Sequence, residues 1–209
     1  MDNITKVSVY EEPFPLAVIK GGLSKIDMQM YLRELHLLND NMLDGRDSNR
    51  EVLEDGTPIK RNKGIFLDTV YTEPHFSDIL EISNRRLGEY LSLVHEEAKD
   101  SNWFFKYLNT CSVKTTLAYY EEGDYYKAHK DLALLTAITW VYEEPKRFKG
   151  GNVTFPDHDL TVEVDNNTTV IFPGCIPHQV SEVSMLDSKD KGKGLGRYAM
   201  VQFGNVDNA

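Results

Sequence analysis

Residues 111–120 read CSVKTTLAYY, a run rich in β-branched and aromatic residues that is typical of a β-strand. Further short runs of the same kind, separated by turn residues, follow at Leu135–Tyr142, Asn152–Phe155, Leu160–Val164, Thr168–Phe172 and Tyr198–Phe203. Short strands at this spacing predict a β-sandwich or barrel for the C-terminal half of the chain. The periodicity does not show which strand pairs with which.

The N-terminal half has a helical period instead. Ser24 and Asp27 form a capping pattern, and the apolar residues after it repeat at three- and four-residue steps: Met28, Tyr31, Leu32, Leu35 and Leu38. A second helix is predicted from about Ser77 to Lys99. Asp44–Lys63, between the helices, is charged and has no period, so we expect a long exposed loop there. Helices followed by several strands predict an α+β fold with the helices packed on one face of a sheet.

Composition places this fold in one domain. The 209 residues are 41% hydrophobic and 27% charged and contain no internal repeat, so we expect one domain with a helical part at 1–110 and a strand core at 111–204.

The chain has 23 Lys and Arg against 33 Asp and Glu, and the resulting net charge of −10 disfavours nucleic acid as a partner. It has no membrane-spanning run and no signal-peptide pattern, which predicts a cytoplasmic protein. Cys111 and Cys175 lack CxxC spacing and are expected to be reduced. The sequence does not determine the oligomeric state.

Two of the six histidines have a sequence context that suits a metal ion. The other four are predicted to be solvated or structural: His36, His75, His95 and His158. His129 precedes Asp131 by two residues, which places both side chains on the same face of an extended strand. His178 ends another β-like run. Two histidines and a carboxylate on one side of a metal form the facial triad of non-heme Fe(II) proteins, although His129 could also pair with Asp131 on a surface strand.

Four motifs extend this pattern. They are YEEGDYYKAHKD (120–131), FKGGNVTF (148–155), VIFPGCIPHQV (170–180) and GRYAMV (196–201). In order and spacing they resemble the prolyl-4-hydroxylase-like family of Fe(II)/2-oxoglutarate-dependent dioxygenases, over roughly residues 111–204. The resemblance implies a double-stranded β-helix, or jelly roll, with N-terminal helices packed on its major sheet. The α+β division obtained from periodicity agrees with that fold.

The resemblance also implies the principal site residues, with His129, Asp131 and His178 as iron ligands and Arg197 as the partner of the distal carboxylate of 2-oxoglutarate. A guanidinium holds a carboxylate through two parallel N–H donors and keeps its charge. Arg197 follows His178 by 19 residues, more than is usual in the family, and the additional residues, Ser184–Gly196, are predicted to form a mobile loop. Lys191 and Lys193 are alternatives to Arg197, but both lie in this loop.

Three further residues are candidates for the 2-oxoglutarate pocket. Alternation within 111–120 places Tyr119 and Tyr120 on opposite faces, so that Tyr119 is predicted to be core and Tyr120 to be either pocket or core. Trp140 and Thr139 lie where the family's next strand contributes to the same pocket. The alternation there does not decide between them.

By resemblance, the chain is an enzyme that uses Fe(II), 2-oxoglutarate and O2 to hydroxylate a C–H bond. The implied substrate is a prolyl or other residue of a peptide, or a free amino acid. Asp131 disfavours halogenation, because related halogenases carry Gly or Ala at that position. An AlkB-like nucleobase demethylase is the weaker enzymatic alternative, since such proteins usually have a second arginine where this chain has Phe203. The alternative from another class is a non-catalytic, metal-binding jelly-roll module.

Overall fold

The structure is a computed structural model that describes residues 5–45, 52, 56–110 and 112–205. Cys111 and most of the segment 46–55 lie outside the described residues. None of the helices within the described ranges combines the length and the apolar character needed to span a lipid bilayer.

Antiparallel strands are the most numerous elements of the described chain. They are β1 (Lys6–Tyr10), β2 (Leu16–Lys20), β3 (Leu43–Asp44), β4 (Lys60–Arg61), β5 (Lys63–Phe66), β6 (Ser112–Tyr120), β7 (Tyr125–His129), β8 (Leu135–Val141), β9 (Phe148–Gly150), β10 (Val153–Phe155), β11 (Leu160–Val162), β12 (Thr168–Pro173), β13 (His178–Val180), β14 (Val183–Met185) and β15 (Arg197–Asn205). The major sheet has the order β1-β2-β12-β8-β15-β6-β5-β3, and the minor sheet has the order β11-β10-β13-β7-β4. A separate pair joins β14 to β9.

The two sheets enclose one apolar interior. Residues from the major sheet, such as Tyr120, Trp140 and Phe172, pack with Val153 and Phe155 of the minor sheet. The other face of the major sheet is covered by helices, so the central strands β8 and β12 are buried along their whole length. The predicted α+β jelly roll is thereby confirmed.

Four α-helices cover the major sheet: α1 (Lys25–Asn39), α2 (Leu67–Val70), α3 (Asp78–Glu97) and α4 (Trp103–Tyr107). Helix α1 begins with the predicted capping box, in which Ser24 Oγ accepts from the Asp27 N–H at 3.1 Å and Asp27 Oδ2 accepts from the Ser24 N–H at 3.1 Å. Buried Glu34 joins α1 to the start of α3, because its carboxylate accepts hydrogen bonds from Ser77 Oγ and the Ile79 N–H. The two predicted helices are therefore confirmed.

The structure differs from the expected division at residue 110, because strands of the N-terminal part belong to both sheets. Strands β1, β2, β3 and β5 extend the major sheet, and β4 forms an edge of the minor sheet. The described end of Asp44–Lys63 is thus paired strand rather than exposed loop. Lys60–Arg61 pairs with β7, the strand that ends in His129, and Asn62 is buried between β4 and β5.

The segment Ser184–Gly196 also contains more regular structure than expected. It includes the end of β14 and a 3-10 helix at Ser188–Asp190. The Gly192 N–H donates to buried Glu121 Oε2 at 2.7 Å, and the Gly196 N–H donates to the Tyr119 hydroxyl at 3.2 Å. These bonds anchor the segment to the end of β6 and the turn after it.

Candidate metal centre

Two neighbouring strands of the minor sheet hold the predicted triad. His129 ends β7 and pairs in register with His178, which begins β13. Asp131 lies beyond β7, where its N–H donates to the Gly174 carbonyl at 2.9 Å. One ligand atom from each of the three side chains lies within 4.8 Å of the others. The structure therefore brings together all three residues, although Asp131 reaches the group through a turn rather than along one strand.

A glycine is required opposite this turn. A Cβ atom on Gly174 would lie 2.2 Å from the Ala133 carbonyl oxygen, a distance at which backbone would have to move. The absence of a side chain at Gly174 lets the two backbone segments approach, and the hydrogen bond to Asp131 then fixes the carboxylate beside the imidazoles.

Hydrogen bonds to main-chain carbonyls fix the orientation of both imidazoles. His129 Nδ1 lies 2.9 Å from the Lys127 carbonyl oxygen, and His178 Nδ1 lies 2.9 Å from that of Ile176. A carbonyl can only accept, so each Nδ1 carries the proton and each Nε2 presents its lone pair. Metal-binding histidines commonly have this arrangement. Burial, together with the neighbouring His178, lowers the pKa of His129, which favours the neutral ligand form.

The inner atoms of the triad lie at distances that suit an ion between them. His129 Nε2 is 3.7 Å from Asp131 Oδ1, and His178 Nε2 is 3.4 Å from Asp131 Oδ2. Thr136 Oγ1 donates to Asp131 Oδ2 at 2.6 Å and so orients the carboxylate. Two imidazole nitrogens and a carboxylate oxygen that converge on one position form a donor set that a divalent cation would bind.

Aromatic contacts hold the two histidine rings in place. The Tyr126 ring stacks on His129, with centroids 3.6 Å apart and planes at 10°. Phe172 contacts His178 edge-on at 4.9 Å, which joins the triad to the interior between the sheets. Tyr126 was not predicted to belong to the site, although it lies three residues before His129 in the motif YEEGDYYKAHKD.

Arg197 lies on the major sheet, across the same interior from the triad on the minor sheet. It begins β15, pairs in register with Tyr120, and is 1% exposed. Its guanidinium carbon lies 4.7 Å from the centroid of the Tyr120 ring and 5.9 Å from that of Trp140. Nε, Nη1 and Nη2 form no hydrogen bond of good geometry with a described residue, and the polar group that interacts with the guanidinium is the Tyr120 side chain rather than a carboxylate. Burial lowers the pKa of Arg197 to about 10, so the side chain remains charged at neutral pH.

An anion beside this buried cation would stabilise it strongly. An unpaired buried charge costs several kcal/mol, and folded proteins normally compensate it with a partner. The chain also makes room for the arginine at Gly151, where a Cβ would lie 2.6 Å from Arg197 Cδ. Gly151 has a φ of +70°, in the left-handed region that favours glycine. The second glycine of the FKGGN motif is thus explained by the arginine beside it.

The pocket candidates Tyr120 and Trp140 lie on one face of the major sheet, and Tyr119, which was predicted to be core, lies on the other. Tyr120 and Trp140 both lie in the interior cluster, while Tyr119 packs with the helices. Burial raises the pKa of Tyr120, and Arg197 and a contact with the buried Asn62 side chain oppose that rise.

Thr139 is not brought to the site. Its hydroxyl hydrogen-bonds with that of Thr169 at 2.8 Å, and the strand alternation directs it toward the helical layer while Trp140 points inward. We therefore leave Thr139 out of the site. Asn62 and Lys60 were missed, because they lie in a segment that has no period in the sequence.

The other histidines and the loop lysines lie apart from this centre. His36 is 3.6 Å from Glu143, His75 contacts the Phe76 ring in a tilted arrangement, and His158 contacts Phe14. Lys191 and Lys193 are exposed, and neither replaces Arg197 in the interior.

The jelly-roll fold of this chain is similar to that of solved structures of 2-oxoglutarate- and Fe(II)-dependent oxygenases, and the His-Asp-His group lies within it. No protein-family model and no curated protein sequence matches the chain. A prolyl-4-hydroxylase from Pseudomonas putida is similar in structure, with a TM-score of 0.59 and 13% identity over 92% of this chain and 93% of that one.

Two more solved structures are similar over most of this chain. The viral collagen prolyl hydroxylase of Paramecium bursaria Chlorella virus-1, in its 2-oxoglutarate complex, has a TM-score of 0.53 and 13% identity over 90% of this chain and 94% of that one. The non-heme alpha-ketoglutarate-dependent epimerase SnoN has a TM-score of 0.51 and 14% identity over 91% of this chain and 78% of that one. At these identities the likeness shows the fold alone.

Proposed function

We propose that the protein is an Fe(II)- and 2-oxoglutarate-dependent dioxygenase that hydroxylates a C–H bond of a prolyl or other amino-acid residue in a peptide, or of a free amino acid. The observation that carries the proposal is Arg197, a buried guanidinium that interacts with the Tyr120 side chain and the Trp140 ring but forms no ion pair with a described residue. Its neighbours Tyr120 and Trp140 belong to the same interior cluster as Phe172, which contacts His178. Arg197, which would pair with a carboxylate, therefore lies in the same interior as a triad that has the donor atoms of a metal site.

The donor set fits the group that the fold family implies. His129 and His178 would bind Fe(II) through Nε2 and Asp131 through a carboxylate oxygen, and a facial set of three protein ligands leaves positions open. When bound, Fe(II) with 2-oxoglutarate and O2 supplies the oxidising chemistry. Arg197 would hold the distal carboxylate of 2-oxoglutarate, with Tyr120 and Trp140 lining its pocket.

The protein residues supply orientation and a dry environment. The Lys127 and Ile176 carbonyls keep the Nε2 atoms directed at the metal position, and Thr136 fixes Asp131. The apolar interior excludes water around Arg197, which strengthens its pairing with a carboxylate because the local dielectric constant is low. This pairing would set the direction in which the cosubstrate enters.

Ligand-induced thermal stabilisation without oxygen tests the binding part of the proposal. Fe(II) and 2-oxoglutarate together should raise the melting temperature above the value with Fe(II) alone, since both bind the native state. Stabilisation by Fe(II) without a further effect of 2-oxoglutarate would instead support the non-catalytic metal-binding module.

Mass spectrometry tests the reaction. Peptides containing proline and free amino acids should gain one oxygen atom while 2-oxoglutarate is converted to succinate. Consumption of 2-oxoglutarate coupled to a substrate change without oxygen gain would contradict hydroxylation, and the epimerase SnoN shows that the fold itself does not fix the outcome.

A further inference from the structure

The strand pair β4–β7 beside the metal centre, together with the residue that follows β7, carries an excess of positive charge on its two faces. Its members, which we call the basic rim, are Lys60, Arg61, Lys127 and Lys130. None of them forms an ion pair with another described residue. The chain as a whole has a net charge of −10, so a cluster of cations without an ion pair to a described residue is opposite to its general character.

Lys60 lies nearest to the metal ligands. It pairs in register with Tyr126, so the two side chains share a face of the minor sheet, and its Nζ lies 5.5 Å from the centroid of the Tyr126 ring. The same ring stacks on the imidazole of His129, at 3.6 Å. Half-buried Lys60 and one of the proposed metal ligands thus contact the same aromatic ring.

The other three cations extend the charge beyond the reach of a single carboxylate. Arg61 and Lys127 lie on the other face of the strand pair beside Tyr125, and Lys127 Nζ is 4.7 Å from that ring. Lys130 is exposed between the ligands His129 and Asp131 in sequence. At about 3.3 Å per residue, Lys127 and Lys130 are separated by roughly 10 Å of chain. Several anionic groups on one flexible segment match this spread better than one small acid does.

Exposed leucines adjoin the basic rim. Leu132 follows the ligand Asp131 directly and is fully exposed, and Leu134 is also exposed. Exposed apolar side chains next to charges that lack an ion pair with a described residue are typical of a surface that a bound partner covers.

We infer that the substrate segment is an acidic peptide whose carboxylates bind the basic rim and whose apolar side chains cover Leu132. The inference rests on the proposed function for the reaction and adds the class of substrate. Lys60 is the specificity-determining residue, because it is the rim cation on the face of the metal ligands. A substrate carboxylate at Lys60 would fix the position of the neighbouring residue relative to the triad.

Peptide binding measured by fluorescence anisotropy tests the inference. The probes are a labelled peptide of alternating Glu and Leu-Pro units and its twin with Gln in place of every Glu. The wild-type protein should bind the acidic probe more tightly, and the preference should weaken as salt is added. Lys60→Gln and Lys130→Gln should each weaken binding of the acidic probe by roughly three-fold, the effect of one partly exposed ion pair, and Lys60→Arg should restore it.

Lys25→Gln is the matched control, because Lys25 is an exposed lysine at the start of α1, on the helical layer. Equal affinity of the wild type for both probes would overturn the inference, as would an equal loss in Lys25→Gln and Lys60→Gln. If free glutamate competes as effectively as the unlabelled peptide, the inference of an acidic peptide is overturned in favour of a small acid. The binding preference decides this inference separately from the thermal-shift test of the proposed function.

Discussion

Replacing Arg197 with methionine should change the stability of the ligand-free protein and the binding of 2-oxoglutarate in opposite directions. The Arg197 side chain is 1% exposed and interacts with Tyr120 but with no acidic described residue, so the ligand-free protein bears the cost of a buried charge without a counter-ion. Methionine has a similar length and no charge, and exchanging buried charges for apolar residues is often neutral or stabilising by about 1–4 kcal/mol. Arg197→Met should therefore leave the ligand-free melting temperature unchanged or raise it.

The same substitution should abolish most of the affinity for 2-oxoglutarate. Truncating one partner of a buried, charge-assisted pair costs roughly 2–5 kcal/mol, which corresponds to a roughly 30- to several-thousand-fold rise in Kd. Titration calorimetry with Fe(II)-loaded protein in the absence of oxygen measures this change, and melting curves measure stability. Fe(II) affinity should be nearly unaltered, because Arg197 is not among the three ligands.

Lys193→Met is the matched control for this substitution. Lys193 is exposed in the segment before β15 and lies 3.8 Å from Asp190, so its loss should affect neither quantity strongly. A strongly destabilised ligand-free Arg197→Met protein would refute the view that the guanidinium is uncompensated. Unchanged 2-oxoglutarate binding in Arg197→Met, or a larger loss in Lys193→Met, would refute the assigned role.

Three further predictions concern the metal, the space around the arginine and the loop before β15. Asp131→Ala should abolish Fe(II) binding by equilibrium dialysis while circular dichroism shows a retained fold, and full Fe(II) binding would remove this carboxylate from the centre. Gly151→Ala should weaken 2-oxoglutarate binding, because the added Cβ would lie 2.6 Å from the Arg197 side chain. Gly123→Ala is the control, since Gly123 has a similar φ of +76° but open space around it, and this substitution should only reduce stability. Equal effects of the two substitutions on binding would contradict the steric explanation. Glu121→Ala should speed hydrogen exchange at the Gly192 amide by roughly 10- to 100-fold, since a hydrogen bond to a buried carboxylate is lost, and an unchanged rate would mean that this bond does not hold the loop.

Local sequence signals were sufficient for the principal elements. The capping box at Ser24 and the helical spacing of apolar residues specify α1, because both depend on neighbours within one or two turns. The runs at β6, β12 and β15 were predicted to within a few residues for the same reason. The three members of the triad were recognisable because the four motifs around them resemble, in order and spacing, a family in which these positions bind iron.

Tertiary structure decided the geometry of the site. Asp131 reaches the two histidines through a backbone bond to Gly174, which is 43 residues later in the chain and which no local pattern connects to it. Lys60 became a neighbour of His129 because β4 pairs with β7, and β4 is only two residues long. Such pairings depend on the whole sheet rather than on the sequence of the short strand.

The separation of Thr139 from Trp140 shows the physical reason most directly. Alternation along a strand assigns residues to two faces, but it identifies the inner face only when one face is polar. All seven residues of β8 are buried, because helices cover one side and the minor sheet covers the other. The sequence by itself therefore determined that β8 is a buried strand, and only the packing of the layers decided that Trp140 faces Arg197 while Thr139 faces the helices.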